Sequence, residues 1–327
     1  MSNLQTRRRQ LITYGAAALG GALFLPGCGG GGSDDETVGT QLDERKNLMN
    51  LSESKPELSV FVEAVNACGL RETLEASGTN TVFAPTNDAF NALFGEMGKS
   101  KDQVFADKAT LTVILRFHIL GKVQFTEAVV EGHAIEPIGG GFFKIDKENN
   151  VFKATDGRNR VCTLVVTDSV ALNGALHELD RVMLPADKDI VVTCEQTPDV
   201  SMCVEAINAA GLSDTLKQPT PQTFFCPTNA AFTAVLVELN ITFQAFLADT
   251  ALCRRVMRCH MVPARKFKKE FVTDAPVATV EVGVSIKVNV SFQVIDARGR
   301  VCNLTRADVL NTNGVVHVCD KVILPPA

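Results

Sequence analysis

The feature that most constrains this chain of 327 residues is that one unit is written in it twice. Phe61-Val62-Glu63-Ala64-Val65-Asn66-Ala67-Cys68-Gly69-Leu70 matches the ten residues from Cys203 to Leu212 at seven positions. Thr81-Val82-Phe83-Ala84-Pro85-Thr86-Asn87-Asp88-Ala89-Phe90 matches the ten from Thr223 to Phe232, again at seven. The offset of 142 holds through His118 and His260; by Asn173-Gly174 and Asn313-Gly314 it is 140. The second copy has therefore lost a net two residues in its middle. A period this long is too large for a solenoid and is an ordinary domain size. The chain reads as two globular domains, residues 51–187 and 190–327, with a short linker around 186–192.

Each copy carries the same coarse pattern. Leu58, Phe61, Val62 and Val65 recur at three- and four-residue steps, an amphipathic helix stopped by Gly69. Residues 81–84 read as a short strand closed by Pro85, and Asn87 as the N-cap of the next helix. Leu111, Ile114, Leu115, His118 and Ile119 form another apolar stripe. After Gly121 the pattern turns to strands at 142–145, 151–154, 161–166 and 176–184. Helices first and strands afterwards predict an α+β unit.

The Thr-Val-Phe-Ala-Pro-Thr-Asn-Asp-Ala-Phe block resembles the first signature of fasciclin-like domains. The block Asn173-Gly174-x-x-His177-x-x-Asp180, ending in Leu184-Pro185, resembles the second. The resemblance implies two tandem fasciclin-like domains, each a wedge of two β-sheets flanked by helices. It implies adhesion or ligand binding outside the cytoplasm, without catalysis, through contact with a matrix polymer or surface protein. A carrier of an apolar pigment or lipid is the alternative. His118 and His260 sit where the family has a Tyr-His pair, but the Tyr position holds Phe117 and Cys259. A second family motif, an Asp followed by apolar residues ahead of Asn-Gly, is matched well by Asp308-Val309-Leu310 and poorly by Asp168. These are the candidate binding residues. Pro85, Thr86, Asn87, Pro227, Thr228, Asn229, His177 and His317 read as structural signature positions. A histidine on an apolar stripe also reads as a hydrogen-bonded core residue.

Residues 1–27 read as an export signal. Arg7-Arg8-Arg9 precedes an apolar run too short for a membrane span, and Leu25-Pro26-Gly27-Cys28 resembles a lipoprotein cleavage box. The Arg8-Arg9 run resembles a twin-arginine signal. The expectation is a lipid anchor at Cys28, a flexible tether over residues 28–50, and a place in the bacterial cell envelope, periplasmic or at the outer-membrane surface. Loss of the signal removes three Arg and no acids, moving the net charge from −5 to −8, which disfavours nucleic acid. There is no Trp, and the single Tyr, Tyr14, lies in the signal. That excludes broad stacking platforms and a phenolic acid.

Nine cysteines remain after Cys28, so at least one thiol is unpaired within the chain. A Cys68–Cys162 bridge would have no counterpart in the second copy. If the first and last strands of that copy are neighbours, as the family fold implies, Cys226 and Cys319 could pair. Cys253, Cys259 and His260 lack metal-ligand spacing, and no metal or cofactor is expected. Arg254, Arg255, Arg258, Lys266, Lys268 and Lys269, with Arg265 among them, form a basic cluster that could meet an anionic partner.

Overall fold

The computed structural model describes residues 46–327; residues 1–45, which hold the expected export signal, the expected anchor Cys28 and most of the expected tether, lie outside the described residues. The first domain contains helices α1 (Leu48–Glu53), α2 (Ser59–Ala67) and α3 (Arg71–Glu75), strand β1 (Asn80–Pro85), then α4 (Asn87–Met97), α5 (Lys101–Ala106) and α6 (Lys108–Phe117). Strands β2 (Ile119–Leu120), β3 (Ala134–Ile135), β4 (Phe143–Glu148), β5 (Val151–Thr155), β6 (Val161–Ala171) and β7 (Gly174–Leu179) follow. The second domain repeats this order: α7 (Ile190–Glu195), α8 (Ser201–Ala209), α9 (Ser213–Leu216), β8 (Gln222–Pro227), α10 (Asn229–Leu239), α11 (Phe243–Ala248) and α12 (Thr250–Cys259). It ends with β9 (Met261–Val262), β10 (Val277–Ala278), β11 (Ser285–Val288), β12 (Val294–Ile295), β13 (Val301–Cys302), β14 (Leu304–Asn311) and β15 (Gly314–Cys319).

In the first domain the strands form one sheet in the order β2-β1-β7-β6-β5-β4-β3, because the long β6 runs through both halves of the wedge. In the second, the halves separate at Asn303 into β10-β11-β12-β13 and β14-β15-β8-β9. The only parallel pairs in the described residues are β1 with β7 and β8 with β15. Each domain has two apolar cores, one under its helices and one between the halves of the wedge. Phe83, Phe117 and Phe143 fill the inter-sheet core of the first domain edge to face.

Several local expectations are corrected. The tether does not reach residue 50, nor the linker 192: Leu48 and Met49 of α1 and Ile190 of α7 are fully buried. Thr86, not Asn87, caps α4, its hydroxyl accepting from Ala89 N–H at 3.3 Å. Asn87 instead turns back to α2, accepting from Val60 N–H and donating to Pro56 O. Thr228 and Asn229 divide the work in the same way. The last strand stops at Leu179 rather than 184, because the N–H groups of Met183 and Leu184 are taken by His118 and Asp156 rather than by a neighbouring strand.

The Asn-Gly signature has a steric cause. Gly174 and Gly314 hold φ at 155°, and a Cβ there would lie 1.8 and 1.9 Å from the carbonyl oxygens of Asn80 and Gln222. Asn173 Oδ1 accepts from Leu48 N–H and its amide donates to Leu74 and Ala76 carbonyls, tying α1 and α3 to the hairpin. Gly314→Ala is expected to abolish native folding of the second domain, because backbone cannot yield to so close an overlap; loss of its calorimetric transition is the check.

Candidate functional site

The four signature histidines are staples. His118 Nδ1 donates to the Ile114 carbonyl at 2.8 Å, one turn back on its own helix, and Nε2 accepts from Met183 N–H at 2.9 Å. His260 repeats this with Val256 and Ile323 at 2.9 and 2.8 Å. One nitrogen must donate and the other accept, so each ring is neutral. Burial pushes both down to about 4. His177 Nδ1 accepts from Asp168 N–H at 3.1 Å and Nε2 donates to Gln124 O; His317 does the same with Asp308 and Lys266. Burial lowers these two as well. The structure thus places His118 and His260 in the core with both nitrogens engaged. Phe117 and Cys259, beside them, are also buried and need no hydroxyl partner.

Asp168 and Asp308 occupy equivalent bulges, each at positive φ (60° and 59°) where the register of the last hairpin shifts. Their surroundings differ. Asp168 accepts from Thr126 N–H and hydroxyl and keeps about a third of its side chain exposed. Asp308 accepts from Lys268 N–H at 2.6 Å and from Lys144 Nζ of the first domain at 2.8 Å, and is buried. Burial alone would lower the Lys144 ammonium, but Asp308 and Asp146 outweigh it and hold its pKa above the ordinary lysine value.

Asp308 belongs to a junction that locks the two domains. Leu310, 2% exposed, packs with Phe142, Phe267 and Val315, and the Phe142 and Phe267 rings meet at 5.7 Å. The Asn159 amide exchanges hydrogen bonds with both Leu310 N–H and Leu310 O, at 2.6 and 3.0 Å. Val309 faces the other way, against the helical core of its own domain. Lys144→Ala leaves Asp308 buried without its cation, so it is expected to destabilise the junction by about 3–5 kcal/mol. Small-angle scattering of the variant, compared with the native chain, reads the resulting domain separation.

The basic cluster is divided. Arg265 pairs with Glu136 of the first domain at 2.7 Å and lies over Phe142; Lys269 bridges Glu131 and Asp146. Arg254 and Arg258 donate to the Ala210 and Val280 carbonyls, and Arg255 and Arg258 flank Glu281. The Lys266 and Lys268 ammonium groups lie over Phe271 and Phe292, and neither ammonium pairs with a carboxylate among the described residues.

The proposed Cys226–Cys319 pairing is corrected. Strands β8 and β15 are neighbours, but Cys226 joins the helical core and Cys319 the inter-sheet core, on opposite faces of the sheet. Cys226 faces Cys194 instead, with sulfurs 3.7 Å apart. Cys68 and Cys162 likewise lie in different cores. Burial pushes the Cys162 and Cys259 thiols up to about 12 and Cys253 to about 11. Alkylation of the native protein is therefore expected to modify Cys68 first among the described cysteines, with the buried thiols reacting only on unfolding. Mass mapping with and without denaturant checks this.

The residues that sequence reasoning missed are Asp156 and Asp296. Buried Asp156 accepts from Arg158 and Arg160 N–H, from the Arg160 guanidinium at 2.7 and 2.9 Å, and from Leu184 N–H. Asp296 repeats this with Arg298, Arg300 and Leu324. The signal was present as Asp-x-Arg-x-Arg at offset 140. Among the described residues no group of His, Cys, Asp and Glu could hold a metal ion, and no helix is long and apolar enough to cross a membrane.

The fasciclin domain model matches residues 56–185 and 198–325. Human periostin is 28% identical over 291 residues, 86% of this chain and 32% of periostin. The rabbit transforming growth factor-beta-induced protein ig-h3 is 26% identical over 78% of this chain and 36% of its own length. The chain spans about a third of the length of these curated relatives. Protein sll1483 of Synechocystis is 35% identical over 147 residues, 44% of this chain and 76% of that protein. Among solved structures, a FAS1 domain pair from the insect cell adhesion molecule fasciclin I aligns with 82% of this chain and 97% of its own at 18% identity and a TM-score of 0.41. With both copies matched and the repeated signatures explained by the same contacts in each, the chain belongs to the fasciclin domain family, as a tandem pair of α+β domains.

Proposed function

We propose that this is a non-catalytic adhesion or ligand-binding protein of the bacterial envelope, held by a lipid on Cys28 and contacting matrix polymers or surface proteins. The observation that supports it most is that every signature histidine is neutral and doubly hydrogen-bonded. The motif residues build the scaffold, and the surfaces of a locked pair are left to make contacts. Lys266 and Lys268 are the basic-cluster side chains available to an anionic polymer. Saturable binding of the mature chain to bacterial cells or envelope polysaccharide at physiological salt is expected, weakened by Lys266→Glu with Lys268→Glu. No binding to any such surface sinks this reading. Metabolic palmitate labelling that survives Cys28→Ser sinks the anchor.

A second reading, carriage of an apolar small molecule, has one specific support. An open cleft of about 380 Å³ in the first domain is lined by Met97, Val113, Ile114, Leu184 and Pro185, within the usual size range of small-molecule sites. In the second domain the position of Val113 is Arg255, whose guanidinium reaches the Pro326 carbonyl at 3.5 Å. Lipid or pigment extracted with the native protein, and lost in Val113→Arg, is the expected result. Extracts free of both remove the reading.

A further inference from the structure

The two domains are copies, yet they bury different faces at their junction. The second domain buries the face around Phe267, Asp308 and Leu310; the first contributes Phe142, Lys144 and Asn159 from a different face. Such a contact is head-to-tail: repeated from copy to copy it gives a ring where the rotation closes and an open chain where it does not. Each face therefore has an unused equivalent on the other domain.

The equivalents follow from the hydrogen bonding. Gln124 and Lys266 N–H groups donate to Thr81 and Thr223 hydroxyls at 2.8 and 2.9 Å, so Phe125 corresponds to Phe267. Val170 stands opposite Ala175 as Leu310 stands opposite Val315. Phe267 and Leu310 are 0% and 2% exposed beneath the first domain, whereas Phe125 is half-buried and Val170 is 40% exposed. Between them lies Asp168, with about a third of its side chain exposed and no ion pair to a lysine or arginine among the described residues, where Asp308 has Lys144. On the other face, Lys144 stands opposite Thr155 and Lys287 opposite Ile295, its repeat equivalent, so Lys287 takes the place of Lys144. Lys287 is exposed, and no carboxylate lies against it among the described residues.

We propose that the first domain's face around Phe125, Asp168 and Val170 docks the second domain of another copy of this chain, with Lys287 on Asp168, in the geometry of the internal junction. The proposal stands independently of the adhesive reading. The intermolecular contact is the weaker of the two. Phe142 and Asn159 are replaced by Ser285 and Gly299, and no linker supplies the effective concentration, about millimolar for a short one, that the internal pair enjoys.

Sedimentation of the full chain up to about 1 mM tests it. The expected result is reversible, concentration-dependent association into a closed ring or an open chain of copies. Val170→Asp, which spoils the receiving face, and Lys287→Glu, which spoils the inserted face, each weaken association about tenfold. Mixed, these two variants retain one intact pair of faces and form a 1:1 dimer that grows no further. Ser285→Phe, Gly299→Asn and Val170→Leu together restore the apolar and amide contacts of the internal junction, though not its Arg265 and Lys269 ion pairs, and strengthen association; Asn159 and Gly299 share a left-handed backbone, φ 63° and 74°, so the asparagine is tolerated. A native chain that stays monomeric throughout, or variants that associate as the native chain does, overturn the proposal.

Discussion

Lowering the pH from 7.5 to 5 is expected to remove about 4 kcal/mol of stability through His118 and His260 alone. An unfolded histidine titrates near 6.5, and these two are held down to about 4 by burial. The folded state refuses a proton that the unfolded state accepts. Stability is full above about 6.5 and falls as the pH drops from there toward 4, about 2 kcal/mol per histidine having gone by pH 5. His177 and His317 are lowered as well and push in the same direction. The hydrogen bonding opposes the proton as well: protonation would place a second N–H on an imidazole nitrogen that already faces a backbone N–H from Met183 or Ile323. Urea titrations at several pH values, with His118→Gln as the comparison, measure the slope. A stability that is level between pH 7 and 5 would falsify the neutral assignment.

Asp156→Ala is expected to destabilise the first domain by about 3–5 kcal/mol and to lower its thermal midpoint on the order of 10 °C. The side chain is fully buried and satisfies two loop N–H groups, the Leu184 N–H and the Arg160 guanidinium at once. Its loss leaves Arg160, 18% exposed, with only Glu96 and the Val182 carbonyl as partners among the described residues, and orphans three backbone donors. Asp156→Asn keeps the shape without the charge and is expected to lose less. Asp296→Ala should act on the second domain in the same way, so calorimetry of the two variants assigns the transitions. An unchanged midpoint in both sinks the argument.

The repeat made the domain pair and its α+β order readable, because periodicity and Pro, Gly and Asn punctuation act locally. Thr86 and Asn87 show where legibility stops. Both are good capping residues, and the choice between them was made by α2, whose N-terminus lies against Asn87 and uses its amide. The two Asp-x-Arg-x-Arg loops could have been found as a repeated motif, but their task, gripping the segment after the last strand, spans 28 residues in each copy.

By itself, the sequence determined that there are two copies of one fold, with glycines where backbones nearly touch and histidines on apolar stripes. Tertiary structure decided what those residues do. Asp168 and Asp308 have the same bulge and equivalent histidines, yet one keeps about a third of its side chain exposed and the other is sealed against Lys144. Domain packing is set by surfaces far apart in the chain, Lys144 and Asp308 being 164 residues distant, and no local pattern records which copy will be covered.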